Sequence, residues 1–179
     1  LSGGVFSNVK LNQKLSELNN IKDIFVFPNM GDGGLSVGAA VLCHLQYKKI
    51  NSKRLKNYYL GLSFSNDDIK LVLNQFKLNY VTGKSLEKKV AKYLHQNKTV
   101  AVFQGKMEFG PRSLGNRSIL ANPFFENTRD KINLQIKKRP WYQPLCPSIL
   151  EEDREDIFET SFNHKYMSTA FKAKSKFKN

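Results

Sequence analysis

Residues 105–120 set three glycines, Gly105, Gly110 and Gly115, among Lys106, Arg112, Arg117, Asn116, Ser113 and Ser118, directly after the apolar stretch 99–103. Glycine lets a backbone approach a ligand closely. An arginine guanidinium presents a planar fork that matches carboxylate or phosphate. Arg112 and Arg117 stand close in sequence with Pro111 and Gly115 beside them, so in a tight turn both forks can meet one anion. The plainer reading pairs them with Glu108 or Asp130 as surface arginines. On chemistry alone, the run suggests a pocket for a small anion or a nucleotide.

A second run, Gly31-Asp32-Gly33-Gly34, offers a carboxylate on a glycine loop. Asp32 there can bind a divalent metal, cap the following helix or hydrogen-bond a ribose. The spacing is not a dinucleotide fingerprint, because its third glycine would fall at Ser36. Gly83-Lys84-Ser85 mimics the end of a P-loop, but the first glycine of that motif would fall at Leu78, so Ser85 reads as a helix cap. His44, His95 and His164 are widely spaced and form no H-x-x-x-H. Lys137, Lys138 and Arg139 precede Trp141, either as a solvated charge run or as a basic stripe with an aromatic. Ser148 follows Pro147 and offers a hydroxyl or a plain strand start.

These side chains need elements to hold them. A helix over 7–18, capped by Ser7, carries Leu11, Leu15 and Leu18 on one face. Residues 24–27 read as a buried strand and 35–47 as a helix whose N-terminus faces the glycine loop, where free N–H groups favour anions. A helix over 67–76 capped by Asn66, one over 85–96, a strand over 99–103 and a helix capped by Asn127 follow, the last with Ile132 and Ile136 turned to the core. Residues 148–150 read as a strand and 151–158 as an acidic helix start. The tail with Lys172, Lys174, Lys176 and Lys178 reads as solvated and frayed.

The chain of 179 residues carries 29 basic and 15 acidic residues, a balance that favours anionic partners. Lysine and asparagine are spread throughout, so nucleic acid ranks behind small phosphorylated molecules. Cys43 and Cys146 form no CxxC, which excludes a cysteine zinc site and argues for a reducing compartment. No apolar run suits a membrane span and no signal-peptide pattern opens the chain, so a cytoplasmic setting is expected. The two N-x-S/T sequons, at Asn97 and Asn116, then read as chance matches. The first residue is Leu1 inside a glycine turn, which reads as a piece of something longer.

Four segments in order resemble the O-carbamoyltransferase family of nodulation-factor and antibiotic enzymes: Gly3-Gly4-Val5-Phe6-Ser7-Asn8, residues 31–40, residues 105–120, and residues 136–148. The resemblance implies an α/β chain with an α+β second module. Residues 1–60 would end an actin-like carbamoyltransferase module, 61–83 would be a linker, and 84–179 would begin a YrdC-like module that is incomplete at its C-terminal end. It implies that ATP and carbamoyl phosphate form carbamoyl-AMP, from which the carbamoyl group passes to the hydroxyl of a small molecule or glycan. Lys106, Arg112 and Arg117 are the implied catalytic residues. Gly110, Asn116, Ser118, Lys137, Arg139, Ser148, Gly3, Gly4, Asn8, Gly33 and Gly34 are implied to bind carbamoyl phosphate or ATP. Asp32 matches a carboxylate ligand to a divalent metal, iron or magnesium, whose histidine ligands the family carries upstream.

The chain departs from the family pattern at Lys106, where arginine is usual, at Ser113, where alanine is usual, and at Leu62, where proline is common. Lys106 keeps the charge and loses the fork. The resemblance implies that this stretch by itself does not complete the reaction. tRNA threonylcarbamoylation and a non-catalytic basic RNA-binding module are the rival readings. The acceptor and any homo-oligomer stay open.

Overall fold

The computed structural model describes residues 1–49, 55–159 and 164–177. They mix helices with one small sheet and form two compact units, each discontinuous in sequence. The first comprises Leu1–Tyr59, Glu108–Leu114 and Ser148–Asn179; the second comprises Leu60–Met107 and Gly115–Pro147. Residues 61–83 include a helix, Asn66–Gln75, and group with the second unit, and residues 148–177 group with the first.

In the first unit the opening residues hydrogen-bond along residues 25–30. Leu1 N donates to Phe25 O, Phe27 N donates to Leu1 O at 3.0 Å, and Gly3 N donates to Met30 O at 2.6 Å. Ile24, Val26 and Met30 are buried here, with Phe6, Leu15 and Ile21 packed against them. The segment expected as a strand is thus extended and buried, but its hydrogen bonds go to the irregular chain start and it forms no regular ladder. A 3₁₀ turn, Gly4–Ser7, leads into α1, Val9–Ser16. The cap is Asn8, not Ser7: its side chain accepts from Lys10 N and Leu11 N. Ser7 lies one position too early, inside the 3₁₀ turn.

A second 3₁₀ turn, Asp32–Gly34, opens α2, Leu35–Tyr47, over the expected range. Gly34 is needed here for space. A Cβ at that position would lie 2.1 Å from the Asn29 carbonyl oxygen. The C-terminal segment is not frayed through residue 177. Ala170 N donates to Val9 O, Glu159 N to Lys172 O and Lys174 N to Ile157 O, and Ser168 and Thr169 are buried. Lys178 lies outside the described residues. Residues 148–150 form no strand and are exposed, while 154–157 form the short helix α6, Arg154–Ile157.

In the second unit α3, Asn66–Gln75, starts one residue after its cap. Ser65 and Asp68 form a reciprocal capping box, so Ser65 takes the role expected of Asn66. Helix α4, Leu86–His95, begins at Ser85, which occupies the cap position in a left-handed conformation and makes no capping bond with its side chain. Strand β1, Val100–Phe103, pairs antiparallel with β2, Arg117–Leu120, from Val100 opposite Leu120 to Phe103 opposite Arg117. A short helix, α5, Thr128–Asp130, continues as a π-helical turn, Lys131–Ile136. Asn127 stands at its cap position with no side-chain bond. Ile132 is buried and Ile136 is exposed. An i→i+5 winding, seen in Lys137 N donating to Ile132 O, keeps the residue four positions on from returning to the same face. Among the described residues no helix is long and apolar enough to cross a membrane.

Two measurements test these positions. Gly34→Ala is expected to lower unfolding stability in urea by about 1–3 kcal/mol, the range for forced overpacking. Gly4→Ala, with nothing within 4 Å of its added carbon, should stay within about 0.5 kcal/mol. In α3, Asp68 is held below the ordinary aspartate value, first by the Ser65 hydroxyl and then by the Ser65 backbone N–H. A depressed folded value means that the capping contribution is complete above the unfolded value and is lost as pH falls through the folded one. NMR titration should find the Asp68 midpoint moving up in Ser65→Ala.

Candidate functional site

The glycine-rich run 105–120 is shared between the units, with 108–114 in the first and 105–107 and 115–120 in the second. Each part is built differently.

In the first unit, residues 108–114 form a braced loop. Glu108 is buried, and its carboxylate accepts from Leu114 N at 2.8 Å. Tyr59 donates its hydroxyl to Leu114 O at 2.9 Å, and Phe109 N donates to Tyr58 O at 2.7 Å. Gly110 has a φ of 104°, and a Cβ there would meet the Pro28 carbonyl oxygen at 2.7 Å, so only glycine suits both the turn and the approach. Arg112 follows. Its Nη2 donates to Ser7 O at 3.1 Å, while its Nε is buried and has no hydrogen-bond partner among the described residues. A buried donor left unpaired is uncommon and calls for an acceptor.

That bond brings Arg112 to the turn with Gly3, Gly4 and Asn8. Gly3 N in turn reaches Met30 O, just before Asp32, Gly33 and Gly34. The two glycine turns and Arg112 are thus joined through hydrogen bonds within one unit. Asn8 is committed as a helix cap, and Gly33 and Gly34 are packed against Asn29, so these three have structural duties of their own. Asp32 is exposed at the start of its turn. Among the described residues no group of three or more His, Cys, Asp or Glu side chains could hold a metal ion. The described residues therefore do not by themselves fit a metal site. Ser148 is exposed on an irregular segment of the same unit.

In the second unit Arg117 clasps the loop between β1 and β2. Its Nη1 donates to Gln104 O at 2.6 Å and Asn116 O at 2.9 Å, its Nη2 to Gly105 O at 3.3 Å, and its Cζ lies 3.7 Å from the Phe103 ring centroid. Asn116 donates to Lys106 O at 2.7 Å, and the Ser118 hydroxyl accepts from Gly115 N at 3.0 Å. Lys106 is exposed. Lys137 is exposed at the end of the π-helical turn. Arg139 donates from Nε to Asn133 Oδ1 at 2.8 Å, and from Nη2 to Pro144 O at 3.4 Å. Asn133, fully buried, holds the carbonyls of Trp141 and Gln143.

Two stretches of this chain match family models in order: residues 1–41 match the carbamoyltransferase N-terminus, and residues 91–179 match the carbamoyltransferase C-terminus. The chain belongs to the carbamoyltransferase family. This carbamoyltransferase chain is 43% identical over 185 residues to an uncharacterized protein of Methanocaldococcus jannaschii, covering 99% of this chain and 30% of that one. It is 37% identical to the nodulation protein NolO of Bradyrhizobium diazoefficiens, covering 89% of this chain and 30% of NolO. It is 32% identical to the 3'-hydroxymethylcephem-O-carbamoyltransferase of Amycolatopsis lactamdurans, covering 93% of this chain and 31% of that enzyme. The chain thus spans about 30% of the length of these relatives.

Sequence reasoning listed both arginines for chemistry and missed what separates them. Glu108, Tyr59 and Asn133 carry much of the bracing; Glu108 lay inside the run, but neither of the others stands in a pattern that marks a brace. Arg117→Lys keeps the charge and loses the fork. It should lower the stability of the β1–β2 loop by about 2 kcal/mol, read by thermal unfolding and by faster amide exchange at Gln104. Arg112→Lys should change stability by less than half as much.

Proposed function

We propose that this chain is part of an ATP-dependent O-carbamoyltransferase that forms carbamoyl-AMP from carbamoyl phosphate and ATP and passes the carbamoyl group to a substrate hydroxyl. The observation that carries the reading is Arg112. It is a guanidinium anchored through one nitrogen to the Gly4–Ser7 turn, with a buried Nε that has no acceptor among the described residues. The order of the family matches supports it, as does the acceptor named for the cephem enzyme, a hydroxymethyl group.

Arg112 would hold an oxygen of a phosphoryl or carbamoyl group, where a charge-assisted bond is strongest as negative charge builds. Gly3, Gly4, Gly33 and Gly34 would border the nucleotide, with backbone N–H groups near phosphate. Lys106, Asn116, Ser118, Lys137 and Arg139 of the second unit, and Ser148 of the first, are the remaining proposed contacts, and Arg117 would act by shaping the loop that carries Lys106 and Asn116. An actin-like first module and a YrdC-like second module complete the proposal. Asp32 would contribute to a divalent metal only with ligands from elsewhere, and no step is derived through that metal.

The test is carbamoyl-phosphate-dependent exchange of labelled pyrophosphate into ATP, run on a polypeptide of the relatives' full length that carries this chain. Arg112→Ala should lower the exchange rate at least 100-fold with an unchanged unfolding midpoint. Exchange in the unaltered protein that does not depend on carbamoyl phosphate, or near-normal exchange in Arg112→Ala, would sink the reading.

A further inference from the structure

Asn12 lies on α1 and is fully buried. Its amide nitrogen donates to two backbone carbonyls, Phe6 O at 2.7 Å and Ser168 O at 2.6 Å, the second 156 residues away in sequence. Its Oδ1 is buried with no hydrogen-bond partner among the described residues. Leaving that acceptor unpaired is costly, and an apolar side chain of the same shape would avoid the cost. Filling space therefore does not account for an asparagine here; its two donors do. One holds the 3₁₀ turn at Phe6, adjacent to the Ser7 carbonyl that Arg112 takes. The other holds the C-terminal segment, which is tied a second time to α1 by Ala170 N donating to Val9 O at 3.1 Å and a third time by Lys172 Nζ, 3.3 Å from Glu17.

We propose that Asn12 is a positioning residue that fixes the Gly4–Ser7 turn to residues 168–170, so that the C-terminal segment sets where the turn and Arg112 present themselves to the nucleotide. The link between turn and segment stands on geometry alone. Only its effect on nucleotide binding rests on the function proposed above.

Native-state hydrogen exchange on the whole chain in low urea tests the link. Phe6 N and Asn8 N report the turn and Ala170 N reports the segment, since all three are hydrogen-bonded. They should open together, with one free energy and one urea dependence. Asn12→Asp replaces the donors with oxygens that face the same carbonyls. It should speed exchange at all three amides at least tenfold and leave Met107 N, bonded in the other unit, unchanged. Asn12→Ser carries the same reading if Asn12→Asp does not fold. Separate opening of Ala170 and Phe6 in the unaltered chain, or an equal rise at every amide in the variant, overturns the link. ATP affinity is then measured by calorimetry: a loss of tenfold or more in Asn12→Asp supports positioning, and unchanged affinity overturns it. The calorimetry uses the polypeptide of the relatives' full length that carries this chain; if its unaltered form binds no ATP, the nucleotide reading of the turn fails while the exchange data still decide the link.

Discussion

The first unit depends on the pairing of the chain start with residues 25–30. Leu1 exchanges hydrogen bonds with Phe25 and Phe27, and Gly3 bonds to Met30, which sets the first glycine turn beside the second. Everything proposed for chemistry in that unit follows from this. α1 and α2 each begin at one of the two turns, and Arg112 is anchored on the carbonyl that closes the first. The same pairing buries Ile24, Val26 and Met30, so one set of backbone bonds organises both the small core and the turns.

The local elements were legible where a short-range signal decides them. The range of α2 follows from Gly34 and the apolar run behind it, and β1 follows from a run of apolar and β-branched residues. The caps slipped by one residue at Asn8 and Ser65 because serine and asparagine stand side by side in both places and either can cap. β2 was hidden inside a run whose glycines and cations speak of a loop. Its strand character comes from pairing with Val100–Phe103, a tertiary fact. The π-helical turn, which exposes Ile136, has no signature in a pattern read at 3.6 residues per turn.

At the candidate site the sequence marked the right run but not the different work of its two arginines. Arg117 has its guanidinium against backbone carbonyls and an aromatic face; Arg112 keeps a buried nitrogen unpaired. Both are arginines among glycines, so residue type and spacing cannot distinguish them. The distinction arises from which carbonyls the fold brings within reach. The bracing of the Arg112 loop by Glu108 and Tyr59 is equally a product of the fold, since Tyr59 meets Leu114 across 55 positions of sequence.

The discontinuity of the units has a consequence for the order in which the molecule can form. The first unit is not complete until residues 148–177 have joined it, whereas Leu60–Met107 and Gly115–Pro147 are finished earlier in synthesis. As the chain emerges, the β1–β2 pair and α4 can close over short loops. The contact of Asn12 with Ser168 closes a separation of 156 residues, so it must wait until residue 168 has been made and carries a larger loop-closure entropy than the β1–β2 pair. The turn that holds Arg112 therefore gains its tie to the C-terminal segment only after both stretches of the second unit have been synthesised.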